Sequence, residues 1–324
     1  MQAIKAKCLG VMAALMLWSA TVPAWAQEYP SQPITFIVPR TPGGGSDIII
    51  RTLSRELAKQ LGVVVVVENK PDAAAIIGAQ FTARAKPDGY TFYLSDNSFY
   101  QNPAINNNLP YDTLKDFTAV TQLAEGPVLM VAHPAVPAKN LKEVIDLAKA
   151  RPNALTYGSG GIGSSTHLIG VLLNLEAGTK IRHIPYKSAG DSVVAVLAGH
   201  VDLQFGGISS AGVHVKSGKL VAIAVTGKRR NPAMPDVPTM EETGLKEVDV
   251  TSVWGVHAPA GTPLAIRQKV SDAFSTVMRD PEMTRKLNSL GYTPIGSTPE
   301  EHQRFTEAIV NRWVKLSKQV NLSD

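Results

Sequence analysis

The chain has 324 residues, 44% of them hydrophobic and 18% charged, with a formal charge of +5 and a single cysteine. That is a globular composition, long enough for two medium domains, and one cysteine excludes an internal disulfide and a thiolate metal centre. The charge excess is too dilute for a nucleic-acid footprint: its one basic cluster, Lys228-Arg229-Arg230, reads as a solvated turn.

The chain opens with Lys5 and Lys7, an apolar run from Leu9 to Ala20, and the small-x-small tripeptide Ala24-Trp25-Ala26. This pattern predicts a secretory signal over residues 1–26, cleaved before Gln27. The apolar run falls short of the roughly 20 residues that span a bilayer. Cys8 precedes the run, whereas a lipidated cysteine would follow it. Removal of the signal leaves a cysteine-free chain of 298 residues with a charge of +3, exported to the periplasm.

Strands and helices then alternate. Ile34–Val38 is a short apolar strand. Ser46 stands at a helix start with Asp47 in the first turn, and Ile50, Leu53, Leu57 and Leu61 share one face before Gly62. The five valines Val63–Val67 predict a strand buried on both faces. Ala73–Ala85 reads as a small-residue helix, Pro87-Asp88-Gly89 as a turn and Tyr90–Leu94 as a third strand. The order implies a doubly wound α/β sheet. The same grammar restarts with strands at Val128–Ala132, Leu155–Tyr157, Ile181–Pro185, Val201–Phe205 and Leu220–Val225. Helices are expected at Leu141–Ala150, Ser165–Leu175 and Ser192–Ala198 between them. An extended stretch, Val248–Ala258, precedes helices at Leu264–Arg279, Pro281–Leu290 and Pro299–Lys318. Crossings near Ala124–Val131 and Val248–Trp254 would join two halves over a hinge and leave a ligand cleft. The expected division is 27–127 with 252–324 as one lobe and 128–251 as the other.

Two glycine-rich loops, each between a strand and a helix, carry the chemical signal. They are Pro39-Arg40-Thr41-Pro42-Gly43-Gly44-Gly45-Ser46-Asp47 and Tyr157-Gly158-Ser159-Gly160-Gly161-Ile162-Gly163-Ser164-Ser165-Thr166-His167. Glycine lets backbone approach a ligand closely, and the unpartnered N–H groups of a helix start attract anions. One such loop in each half would grip the two ends of a small carboxylate; the alternative is that both are plain turns. Gly158–Gly163 fits GxGxxG, but the next strand ends in Pro185-Tyr186-Lys187 without the acid a dinucleotide needs. There is no P-loop, no GxSxG elbow, no HExxH and no EF-hand loop, so no catalytic residue, metal or cofactor is expected.

These residues resemble the extracytoplasmic receptors of tripartite tricarboxylate transporters, the Bug family. The likeness rests on the Pro39–Asp47 loop, Val67-Glu68-Asn69-Lys70-Pro71, Pro87-Asp88-Gly89-Tyr90, Tyr157–His167, Ile184-Pro185-Tyr186-Lys187, Gly199-His200-Val201-Asp202, Pro235–Thr239 and Ala258–Pro263. It implies a two-lobed Venus-flytrap fold, each lobe a mostly parallel sheet flanked by helices. It also implies a receptor that captures a small carboxylate for separate membrane permease subunits; a monomer without a nucleic-acid partner is expected. Carried onto this chain, the ligand-holding role falls on Gly43, Gly44, Ser46, Asp47, Ser159, Gly160, Gly163, Ser164, Ser165, Thr166 and His167. Asp47 reads as a helix-terminal carboxylate and loop anchor rather than a catalytic base, and His167 has the alternative of a structural histidine.

Asp202 would accept from a ligand donor or serve structure. The family usually places an aromatic residue where this chain has Arg40; the arginine would clamp a second carboxylate or stand exposed and uninvolved, and the ligand expected has two acidic groups, or one acid and another hydrogen-bonding end. Ser95, Asn97, Phe99 and Tyr100 are expected along the cleft. Tyr186 and Trp254 would stack on an aromatic acid or pack in the core. A sensor that reports to a membrane kinase, and an enzyme using His167 with Asp47 on an organic acid, are the alternative functions.

Overall fold

The computed structural model describes residues 29–317, apart from residues 73, 163, 247 and 249. The expected signal peptide and Gly163 lie outside the described residues. No helix among the described residues is long and apolar enough to cross a membrane.

Ten strands form the frame: β1 Ile34–Val38, β2 Val65–Asn69, β3 Thr91–Ser95, β4 Phe117–Ala132, β5 Thr156–Ser159, β6 Arg182–Pro185, β7 Leu203–Gly207, β8 Val221–Val225, β9 Thr251–Pro259 and β10 Thr293–Pro294. They make two mixed sheets that share β4. In the first, β2, β1 and β3 run parallel, and β9 joins β3 to β4 in antiparallel pairing. In the second, β6, β5 and β7 run parallel, with β7 and β8 antiparallel to β4. Along β4 the partner changes between adjacent residues: Pro127 faces Thr251 of β9, and Val128 faces Gly207 of β7. The fold is α/β and two-lobed, and each sheet is a parallel trio completed by antiparallel strands.

The helix Gly45–Leu61 packs Ile49, Ile50, Leu53, Leu57 and Leu61 against the first sheet. Each such buried side chain contributes about 1.5–3 kcal/mol of transfer free energy. Gly62, at φ 71°, ends the helix and returns its N–H to the Ala58 carbonyl. The start lies one residue before Ser46: Gly44 holds the cap position without a side-chain cap. The Ser46 hydroxyl instead accepts from Trp254 Nε1 at 3.2 Å.

Three other expectations change. The valine run is an edge strand, not a doubly buried one: β2 has β1 as its sheet neighbour, and Val64 and Val66 are 62% and 40% exposed. The predicted helix over 73–85 narrows to Ile76–Ala83, because Ala75 takes φ 60° before it. Helices at Asn97–Ile105 and Ile208–Lys216 are additions. The first contains Pro103, and the second is rich in Ser, Gly and β-branched residues, so neither has a strong helical signature.

Candidate ligand-binding site

In the first loop, Gly43 adopts φ +83°, a region an L side chain avoids, and donates its N–H to Asp47 Oδ2 at 3.0 Å. Asp47 Oδ1 accepts from Arg51 Nε at 2.8 Å and from Asn69 Nδ2 at 2.9 Å. Asn69 also donates to the Arg40 carbonyl at 2.9 Å, so β2 and the helix together fix the loop. In the second loop, Gly160 N–H donates to Thr166 Oγ1 at 2.8 Å, and Ser164 caps the helix Ser165–Ala177 by accepting from His167 N. Beneath it, Ser159 Oγ lies 2.6 Å from His183 Nε2, and the His183 and His167 rings stack at 4.2 Å. Burial pushes the His167 imidazole down to about 4; burial and then His167 push His183 down to about 3. Both are therefore neutral near pH 7.

The two loops meet around a cavity of about 60 Å³. Five helix starts line it. They are Gly45 of Gly45–Leu61, Asn97 and Ser98 of Asn97–Ile105, Ser165 and Thr166 of Ser165–Ala177, and Ala189 of Ala189–Leu197; Gly207 caps Ile208–Lys216. A helix N-terminus carries roughly +0.5 of a charge and N–H groups without helical partners. Five converging ends make the cavity strongly attractive to an anion. Ser188 and Ser252 add hydroxyls, and Trp254 supplies an apolar wall.

One buried ion pair faces the same cavity. Arg40 donates from Nε to Asp96 Oδ2 at 2.6 Å and from Nη2 to Asp96 Oδ1 at 3.3 Å and Ser98 Oγ at 2.5 Å. Its Nη1 reaches across to the Gly160 carbonyl at 3.2 Å. Burial pulls the guanidinium down and the Asp96 carboxylate outweighs it, holding Arg40 above its ordinary value. Two further contacts bridge the sheets' loops: Thr41 Oγ1 lies 2.6 Å from Ser188 Oγ, and Tyr292 OH lies 2.8 Å from both the Gly45 carbonyl and Ser209 Oγ.

Residues 49–322 match the family described as "Tripartite tricarboxylate transporter family receptor". The chain belongs to this receptor family. BugT of Bordetella pertussis is 32% identical over 299 residues, covering 92% of each chain. Among solved structures, Rpa4515 of R. palustris with adipate superposes with a TM-score of 0.87 at 29% identity, covering 90% of this chain and 98% of that one. MatC from Rhodopseudomonas palustris, with bound malate, gives 0.83 at 30% identity over 89% and 99%.

Within this receptor, Arg40, Gly44, Ser46, Asn97, Gly160, Ser164, Ser165 and Thr166 line the cavity, as does Trp254. The other nominated residues that the structure describes do not. Gly43 and Asp47 anchor the first loop from behind. Ser159 and His167 are buried under the second loop in the stacked-histidine layer. Ser95 is fully buried, bonded to Tyr100 and His257, and Phe99 and Tyr100 are core aromatics. Asp202 accepts from Thr156 N and Oγ1, both at 2.8 Å, and borders a separate recess with His133. Tyr186 lines a larger outer recess of about 860 Å³ with Thr41, Ile162 and Lys187. The Arg40 edge that would grip a second ligand carboxylate is taken by Asp96.

The lining residues absent from the sequence expectation are Gly45, Asp96, Ser98, Ser188, Ala189, Gly207, Ser252 and Val253. Two had a legible signal. Ser188-Ala189-Gly190-Asp191 is a capping box in which Ser188 Oγ accepts from Asp191 N at 3.1 Å. Asp96 is a capping acid that accepts from Ser98 N at 3.0 Å.

Proposed function

We propose that this receptor works in the periplasm, where it captures a small organic carboxylate at the junction of its lobes and presents it to a tripartite-type membrane permease. The observation that carries the reading is the convergence of five helix N-termini on one small cavity. That arrangement stabilises a carboxylate with neutral donors and asks for no chemistry on it. The adipate-bound and malate-bound relatives support the ligand class. The lobes are 27–127 with 252–324, and 128–251, hinged where β4 changes partners and where β9 begins. An open form would expose the loops, and ligand contacts from both lobes would draw it to the closed one. The pair an enzyme reading would nominate, His167 with Asp47, does not line the cavity.

Thermal melting of the purified protein against aliphatic and aromatic acids, with each acid assayed for turnover, tests the reading. A ligand at about 100 times its Kd adds roughly 2.7 kcal/mol, a shift of several degrees. A selective shift with the acid recovered intact is expected. Consumption of the acid, or no shift with any acid, would overturn the proposal.

A further inference from the structure

The cavity holds its own counter-ion pair, and this limits what can join it. Asp96 is 9% and Arg40 7% exposed, and both line the space the ligand would fill. The bidentate Arg40–Asp96 geometry is the one an arginine offers to a carboxylate of a ligand. Asp96 thus stands where a second ligand carboxylate would dock, already held on the Nε–Nη2 edge and at the N-terminus of Asn97–Ile105. A further carboxylate brought to this wall finds the guanidinium edge occupied and would lie beside the Asp96 carboxylate, a like-charge contact in a desolvated site that is unfavourable.

The pair has a positive consequence as well. An ionised carboxylate offers about four acceptor sites. Asp96 uses three: two toward Arg40 and one toward Ser98 N. Among the described residues this leaves one acceptor position, on Oδ2 of a side chain that lines the cavity. Asn97, beside it, is committed elsewhere, since its Oδ1 accepts from Val253 N at 2.6 Å and its Nδ2 donates to the Thr251 carbonyl at 2.8 Å. Asp96 is thus the charged acceptor on this wall. Volume adds a second limit. A water requires about 10–15 Å³ of such space, so about 60 Å³ holds roughly four to six water-sized groups.

Resting on the carboxylate-capture reading, we infer that Asp96, held by Arg40, is a specificity-determining residue that selects a short monocarboxylate bearing a hydroxyl or amine donor and rejects dicarboxylates. The carboxylate of such a ligand sits among the helix starts, and its donor completes Asp96. Of the two ligands expected from the sequence, this keeps the one with a single acid and another hydrogen-bonding end and replaces Arg40 as a clamp for a diacid.

Calorimetric titration of the purified protein with acetate, glycolate, glycine, malonate and succinate tests the inference. Glycolate or glycine is expected to bind at least tenfold more tightly than acetate, malonate or succinate. Asp96→Asn, which frees the guanidinium edge, is expected to raise malonate affinity at least tenfold and to narrow the gap between glycolate and acetate. The Arg40→Gln/Asp96→Asn double variant, with neither charge, is expected to show no malonate gain. Malonate or succinate binding to the wild type as tightly as glycolate overturns the inference, and this ranking needs no variant to fold. A folded Asp96→Asn with an unchanged malonate-to-glycolate ratio overturns it too. If the wild type binds none of these acids and none of the wider panel, the carboxylate-capture reading itself falls.

Discussion

Gly160 has little room for a side chain: a Cβ built there would lie 3.0 Å from the Ala189 backbone nitrogen, so that backbone would have to give by a few tenths of an ångström. The added methyl would press the second loop against the start of the helix Ala189–Leu197, an overpacking strain of about 1–3 kcal/mol. Gly160→Ala is therefore expected to weaken carboxylate affinity more than tenfold in a titration, with melting lowered by only a few degrees. Unchanged affinity would mean that the close approach is incidental. Asp47 acts from the opposite side of its loop. Asp47→Ala leaves Gly43 N, Arg51 Nε and Asn69 Nδ2 without their carboxylate and is expected to cost about 2–3 kcal/mol in a denaturant titration. At this scale the sequence identified the glycines and hydroxyls of both loops, because strand–Gly-rich loop–helix is a local pattern. It left Asp96 and Ser98 unseen as partners of Arg40, because 56 and 58 residues of chain separate them.

Helices whose apolar residues recur at three- and four-residue spacing were legible. Leu141–Ala150 and Leu264–Arg279 begin and end where the periodicity and caps place them. The valine run was misread because five apolar residues carry no alternation, and burial on two faces depends on neighbours the run does not encode. Its position at the sheet edge separates two substitutions. Val66→Thr, at an exposed edge site, is expected to change stability by no more than about 0.5 kcal/mol. Phe36→Ala, at a fully buried β1 side chain stacked at 5.4 Å on Phe92, is expected to cost about 3–5 kcal/mol. Equal chemical-denaturation midpoints for the two variants would contradict the assignment of β2 to the edge. Asn97–Ile105 was invisible for a related reason: its short, proline-containing segment is helical because Asp96 caps it and Phe99 and Tyr100 are buried against the core.

Across the whole molecule, buried histidines link stability to pH. His167 and His302 are 2% and 0% exposed, and burial lowers them to about 4 and about 3; His183, also lowered to about 3, stacks against His167. His257 is driven well below its ordinary value by burial and then by His302. In the unfolded chain these groups take up protons near pH 6.5; in the folded chain His167, His183 and His302 do so only near 3 to 4, and His257 is held well below its ordinary value. Between those limits the unfolded state binds more protons, so stability falls as the pH drops from about 6.5 toward 4 and is level above that window. Melting temperature is expected to decline by several degrees across this range, and His183→Gln to flatten the decline. A flat wild-type profile from pH 7 to 4 would show that these rings titrate while the protein stays folded.

The alternating strands and helices, the two glycine-rich loops and the capping residues are properties of short segments, each set by local periodicity, backbone freedom and hydrogen bonding. The amino-acid sequence by itself therefore determined the α/β character and two of the five helix starts around the cavity. The convergence of all five, the exchange of partners along β4 and the engagement of Arg40 by Asp96 arise from contacts between segments far apart in the chain. Only the tertiary structure decided these, because an electrostatic site is a sum over groups in space, and local patterns do not specify which distant groups will share a wall.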